Sequence, residues 1–179
     1  MKSTTLSSLL FILFLCNIVY ARRPVRGRLY ESLCSEYRPI SDIKYCVNLL
    51  KTDSRIPLAK TYHELSKYIL EMAIDQATSV QAYLIIMAKK FPNDKAFGNC
   101  VLPFYDNCIL SLHTALDEVV GNEPQSAITD AQAAGQEIYN CDKAIQNDKP
   151  SFDPIAVYVR NNETFFLRVM AVSAILHMT

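Results

Sequence analysis

The sequence contains no tryptophan and only four glycines among its 179 residues. Neither a glycine-rich phosphate loop nor a nucleophile elbow occurs in it. The three histidines, His63, His113 and His177, fall in different predicted helices and lack the His-x3-His or Glu-x-x-His spacing of a metal site. The sequence therefore predicts a protein that is not an enzyme, with no catalytic residue, metal or cofactor.

A long apolar run occurs only at the N-terminus. Lys2 precedes an apolar stretch at residues 9–15, and Val19-Tyr20-Ala21 forms a small-residue cleavage site. The stretch is well short of the roughly 20 apolar residues that a membrane span needs. We therefore expect residues 1–21 to be a secretory signal peptide, with a signal anchor as the alternative.

An excess of charge of either sign is missing as well. The chain has 18 basic and 18 acidic residues, and loss of Lys2 with the signal leaves 17 against 18, a formal net charge of −1. This balance lacks both the basic footprint of a nucleic-acid-binding protein and the polybasic patch that binds lipid headgroups. We expect neither nucleic acid nor a membrane as a partner.

Long stretches without proline carry apolar residues in steps of three and four, the period of an α-helix. They predict four long helices, at residues 58–91, 95–120, 125–146 and within 154–177. The short connections between them predict an all-α, up-down-up-down four-helix bundle over residues 58–179. Pro103 is expected to kink the second helix.

Each of the first three helices has a predicted buried seam. The first seam comprises Tyr62, Ser66, Ile69, Ala73, Gln76, Val80, Tyr83 and Met87, and it is widened by Leu65, Met72 and Leu84 alongside it. The second comprises Tyr105, Cys108, Leu112, Ala115 and Val119. The third comprises Ala127, Ala131, Ala134, Ile138, Cys141 and Ile145. In the fourth helix, residues 165–176 are apolar on nearly every side except at Arg168, which predicts a helix buried among the others.

Residues 22–57 form a predicted N-terminal extension, and residues 22–179 together suit a single domain. Two short helical candidates, at residues 29–34 and 40–50, are too short to be stable alone. Cys34 and Cys46 bracket the turn between them. A disulfide there would stabilise the hairpin by about 3 kcal/mol through loop entropy.

The number of cysteines in the exported chain is odd. With Cys16 in the signal peptide, five remain, so at least one thiol stays outside the internal bridges. Cys141 on the third long helix could pair with either Cys100 or Cys108 on the second. Distances along the helices from their connection leave this choice open.

Several features together point to a known family. They are Cys34 and Cys46, the pattern Cys100-x4-Tyr105-x2-Cys108, the alanine-rich run into Cys141, and Asn162 followed by Val172-Ser173-Ala174-Ile175-Leu176. With these features, essentially the whole mature chain resembles the plant inhibitors of pectin methylesterases and invertases. The resemblance implies disulfides Cys34–Cys46 and Cys100–Cys141.

The same resemblance assigns the spare thiol to Cys108, which stands where relatives keep alanine. As an apolar residue of the second seam, Cys108 is expected to carry a buried thiol, with a redox or intermolecular thiol as the alternative. One departure concerns the spacing of Cys100 and Tyr105. The family pattern places Cys and Tyr four residues apart, whereas here they are five apart. We expect one extra residue near Pro103 to be absorbed as a kink or a single wide turn.

A second departure bears on the target. Invertase-directed relatives carry Pro-Lys-Phe before the third long helix, and the matching positions here are Pro124, Gln125 and Ser126. The cation and the ring are both missing, which favours pectin methylesterase as the partner and leaves acid invertase as the alternative. A storage or allergen-like bundle without a target is a further alternative. A lipid carrier is disfavoured, because the chain lacks the adjacent Cys-Cys and Cys-x-Cys pairs of such proteins.

The resemblance further implies a secreted monomer that covers the enzyme's substrate cleft one to one, in the apoplast and cell wall or, alternatively, in the vacuole. Members associate more tightly at mildly acidic pH. The second and third long helices are the implied contact face. Its polar candidates are Asp117, Glu118, Gln125, Asp130 and Gln132.

Asn162 begins the glycosylation sequon Asn162-Glu163-Thr164. A helix that began near residue 161 would expose this asparagine in its first turn. A helix that began at residue 154 would align it with Val159, Phe166 and Val169, a poor place for a glycan.

Overall fold

The computed structural model describes residues 28–36, 43–148 and 153–179, and within these ranges the chain is all-α with no strand. The predicted fold class is confirmed. The helices are α1 (Leu29–Glu36), α2 (Ile43–Leu50), α3 (Tyr62–Lys90), α4 (Lys95–Asn99), α5 (Asp106–Val120), α6 (Pro124–Asp148) and α7 (Ile155–Leu176). A 3₁₀ turn covers Ile56–Leu58, and a π-helical segment covers Cys100–Tyr105.

The boundaries of α3 follow from local chemistry. The Thr61 hydroxyl accepts a hydrogen bond from the Glu64 amide at 3.1 Å, and the Glu64 carboxylate accepts one from the Lys60 amide at 2.7 Å. This reciprocal cap satisfies two amides that would otherwise lack partners. The helix therefore starts a little later than predicted, and it ends at Lys90 before Phe91-Pro92, as expected.

The four long helices form a closed ring. α3 packs against α5 and α7, and α6 packs against the same two helices. This order of neighbours is the one that the predicted up-down-up-down bundle requires. The predicted seams of α5 and α6 are confirmed, since all their members are at most 2 % exposed.

The predicted seam of α3 is wrong at three positions. Tyr62, Gln76 and Tyr83 are only half-buried. Ala77, which was not predicted, is fully buried, and so is Leu84, predicted alongside the seam. α3 lies between two neighbouring helices, so it buries a stripe wider than one seam. The last turns of α7 also differ from expectation, because Phe165 is 40 % and Leu176 53 % exposed.

The expected disturbance near Pro103 takes the form of a π-helical segment. Leu102 leaves helical geometry, with φ −135° and ψ 120°, and the Leu102–Pro103 peptide is cis. The wide turn accommodates the extra residue between Cys100 and Tyr105. Both side chains are consequently fully buried, despite their five-residue spacing.

The N-terminal hairpin shares one hydrophobic core with the bundle. The Cys34–Cys46 disulfide joins α1 to α2, and Cys46 Sγ lies 3.4 Å from Met170 Sδ on α7. His177 at the end of α7 lies 2.7 Å from the Glu36 carboxylate and stacks on Tyr62. The hairpin therefore contacts the C-terminal half of α7 and stabilises its position.

The predicted signal peptide lies outside the described residues. Among the residues that are described, no helix is both long and apolar enough to cross a membrane.

Candidate functional site

The π-helical segment, α6 and α7 meet at a disulfide and a buried polar network. The disulfide joins Cys100 to Cys141 with a Cα–Cα distance of 4.8 Å. Beside it, the Tyr105 hydroxyl donates a hydrogen bond to Asn161 Oδ1 at 2.7 Å, and Asn161 Nδ2 donates one to Asp142 Oδ1 at 2.6 Å. We call Tyr105, Asp142 and Asn161 the Asn161 network.

Burial controls the ionisation of the Asn161 network. It raises the pKa of Tyr105, and the charge of the Cys108 thiolate would raise it further. Burial also raises the pKa of Asp142, although the hydrogen bond from Asn161 opposes that shift. Both Tyr105 and Asn161 are fully buried, so this network serves the interior of the bundle and no external ligand.

The sequence alone did not predict this network. The feature of the sequence that could have indicated it is the polar Asn161 at a core position. Val157, Asn161 and Thr164 follow the four-three spacing of a buried helix face. Buried asparagine needs hydrogen-bond partners, and these come from Tyr105 and Asp142 on other elements.

Among the cysteines that the structure describes, Cys108 alone is outside a disulfide, and it is fully buried in α5. Burial, with the nearby charge of Glu137, raises its pKa to about 12. Because the thiolate is the reactive form, this cysteine is inert in the folded protein. The geometry matches a small apolar core residue rather than a redox centre.

The predicted contact residues fall into two groups. Asp117 is exposed on the last turns of α5, and Glu118 and Asp130 are half-buried where α5 and α6 come together. Gln132, on α6, is exposed and lines a surface cavity with Arg168 of α7. The contact residues therefore extend over both edges of α6.

Glu118 and Asp130 form a pair of like charges. Burial raises the pKa of Glu118, and the adjacent Asp130 and Glu123 carboxylates raise it further. One oxygen of Glu118 is buried without a hydrogen-bond partner. Protonation of this carboxyl relieves repulsion and desolvation together.

Pro124, Gln125 and Ser126 form the first turn of α6 and are not part of a preceding loop. Gln125 and Ser126 are exposed, and Pro124 is half-buried. Proline suits this first helical position, because its missing amide hydrogen has no partner there. A partner that approached this end of the bundle would meet an uncharged, non-aromatic turn.

Asn162 is exposed even though α7 begins at Ile155. The expectation that an early helix start would make it a poor glycan position is wrong, because neighbouring Val159 is itself 59 % exposed. The hydroxyl of Thr164 is turned inward and donates a hydrogen bond to the Arg160 carbonyl at 3.1 Å.

The fold and its interior define the class of protein. The molecule is a disulfide-bonded helical bundle with a hydrophobic core, in which a buried polar network links the π-helical segment, α6 and α7. The chain belongs to the plant invertase/pectin methylesterase inhibitor family, whose model matches residues 28–174. It is therefore an enzyme inhibitor and not an enzyme.

Two solved structures share the fold. One is a mutant form of a pectin methylesterase inhibitor from Arabidopsis, 16 % identical, with a TM-score of 0.70 over 84 % of this chain and 97 % of that chain. The other is a pectin methylesterase inhibitor from Arabidopsis thaliana, also 16 % identical, with a TM-score of 0.62 over 87 % and 99 %. A comparison with curated proteins found no match.

Proposed function

We propose that the protein is secreted to the cell wall and inhibits a pectin methylesterase by covering its substrate cleft in a one-to-one complex. The family match supports the inhibitory role, and both similar structures are of pectin methylesterase inhibitors. The contact surface in this proposal comprises the exposed faces of α5 and α6, with Asp117, Gln125, Ser126 and Gln132 at its outside. Acid invertase is the second candidate target.

The observation that supports the methylesterase over the invertase is the first turn of α6. Gln125 and Ser126 are exposed, so their side chains are available to a partner. They offer neither the cation nor the ring that invertase-directed relatives carry there. Without them this turn offers neither a charged contact nor an aromatic anchor to a partner. This argues for the methylesterase.

The test is a titration of each enzyme with the purified mature protein. We expect residual pectin methylesterase activity to fall to a plateau at an inhibitor-to-enzyme ratio near one, while acid invertase activity stays unchanged. Heat-denatured inhibitor serves as the control. Inhibition of invertase alone would contradict the choice of target, and inertness towards both would contradict the proposed function.

The Glu118–Asp130 pair gives the complex a pH dependence. The pKa of Glu118 is already raised in the free protein by burial and by Asp130. Contact with an enzyme removes further water and raises it more, so the complex takes up a proton and binding tightens as the pH falls. One proton accounts for up to about tenfold in affinity per pH unit.

We expect inhibition to be tighter near pH 5 than near pH 7, and Glu118→Gln to flatten this dependence. The variant should hold near pH 7 the affinity that the wild type reaches in acid. Asp117→Asn, an exposed neighbour on the same helix, is the matched control and should keep the wild-type slope. A Glu118→Gln protein with an unchanged slope would rule out this carboxyl as the sensor.

A further inference from the structure

Arg168 projects from α7 into a surface cavity of about 370 Å³. The cavity is lined by Gln132, Gly135, Gln136, Tyr139, Phe165 and Arg168. The guanidinium carbon lies 4.3 Å from the centre of the Phe165 ring. On the other side the group packs against Gly135, where an added Cβ would lie only 2.6 Å from Nη2.

Glycine is therefore needed at position 135, because the absence of a side chain leaves room for the guanidinium of Arg168. Any side chain at this position of α6 would displace the guanidinium from its place between the two helices. The Phe165 ring and the Gly135 backbone together hold the planar group in one orientation. A long side chain held in this way loses little entropy when it binds a ligand.

Within the described ranges, the side chain of Arg168 makes no hydrogen bond and no ion pair, and its Nε is buried without an acceptor. Burial lowers its pKa, although the nearby Cys108 thiol opposes that shift. Arg55, by contrast, pairs with both Asp53 and Glu71. The carboxylate of Glu137 is used locally, since it accepts a hydrogen bond from Asn140. A half-buried guanidinium whose Nε lacks an acceptor is stabilised when an anion reaches its remaining N–H donors.

We propose that this cavity receives a carboxylate side chain of the inhibited enzyme, with Arg168 as its anchor. A guanidinium offers paired N–H donors that match a carboxylate in planar, bidentate geometry. The Gln132 and Gln136 amides add neutral hydrogen-bonding groups, and the cavity lining contains no acid to compete. The inference rests on the proposed inhibitory function and names a specific contact within it.

The exposure of the cavity walls favours a protein side chain over a free small acid. Tyr139 is 52 % and Phe165 40 % exposed, so both rings face outward. A small ligand would remain largely in water there, whereas a partner surface would cover the rings and dry the cavity. Arginine and tyrosine within a covered patch are typical of interface hot spots.

The experiment compares four variants in the enzyme titration, each first checked for an unchanged thermal midpoint by circular dichroism. Arg168→Gln removes the charge. Arg168→Lys keeps the charge but loses the planar guanidinium and its paired N–H donors. Gly135→Ala displaces the guanidinium without changing any charge. Arg160→Gln is the matched control, because it removes an arginine that stacks on Tyr83 elsewhere on α7.

We expect Arg168→Gln to weaken inhibition by about 30-fold or more, the loss typical of a buried charge pair that loses one partner. Gly135→Ala should weaken it similarly, Arg168→Lys less, and Arg160→Gln by less than about threefold, as for a residue outside the hot spot. The salt dependence of binding should be shallower for Arg168→Gln than for the wild type.

Full inhibition by folded Arg168→Gln would overturn this inference and leave the proposed function intact. Calorimetric binding of free galacturonate by the isolated protein, abolished in Arg168→Gln while inhibition persists, would also overturn it and assign the cavity to a sugar acid. A wild-type protein that inhibits neither enzyme would overturn the proposed function and this contact together.

Discussion

Replacing both Cys100 and Cys141 with alanine is expected to lower the free energy of unfolding by about 4 kcal/mol. The disulfide closes a loop across 41 positions, and its loss restores the conformational entropy of that loop to the unfolded chain. It also joins the π-helical segment to α6, where the chain departs from regular helical geometry. The thermal midpoint should fall by roughly 8–16 °C, measured by calorimetry.

Cys108→Ala is the control for this experiment. Cys108 is also buried in the core but makes no disulfide, so its loss removes only packing, worth about 1 kcal/mol. Peptide mapping of the wild type should find Cys100 linked to Cys141. A Cys108–Cys141 peptide, or equal destabilisation by the single and the double variant, would contradict the pairing.

Asn161→Ala is expected to cost about 3 kcal/mol, because it leaves the Tyr105 hydroxyl and the Asp142 carboxylate without their hydrogen-bond partner. The two groups belong to different elements, so the substitution loosens the contacts of α7 with both. Urea unfolding near pH 7 measures the loss. Asn162→Ala is the matched control, since the adjacent asparagine is exposed, and it should stay within about 0.5 kcal/mol of the wild type.

The destabilisation by Asn161→Ala should also depend on pH. Burial raises the pKa of Asp142, and Asn161 opposes the shift by donating to the ionised form. A group with a raised folded-state pKa costs stability once it ionises, and that cost disappears as the pH falls below its unfolded pKa. Without Asn161 the cost at neutral pH is larger, so the deficit should shrink between about pH 7 and pH 4. A pH-independent deficit would show that Asp142 is not involved.

The burial of individual residues shows how accurately helical periodicity predicts the core. In α6 the seam of alanines, Ile138, Cys141 and Ile145 was predicted correctly, because one broad, regular face is buried. In α3 the same reasoning chose Gln76 over Ala77 and placed Tyr83 on the seam, with Leu84 only alongside it. Period alone does not decide between adjacent positions at the edge of a buried stripe, since the rotation of a helix against its neighbours sets which of them is buried.

The position of Cys100 is an intermediate case. The spacing to Tyr105 indicated one residue too many for a continuous face, and a kink or wide turn near Pro103 was expected. In the structure, this disturbance is a π-helical segment in which Leu102 leaves helical geometry. The disulfide from Cys100 to Cys141, implied by the family resemblance, is present in the structure.

The sequence by itself determined the helical class, the extents of the long helices and an odd number of cysteines after residue 21, because these depend on periodicity and composition along one segment. Only the tertiary structure decided that Asn161 lies between Tyr105 and Asp142, and that Arg168 lies between Gly135 and Phe165. Such contacts between residues of different helices depend on how far each helix is rotated and shifted against its neighbours. That geometry is set by the packing of all the helices together.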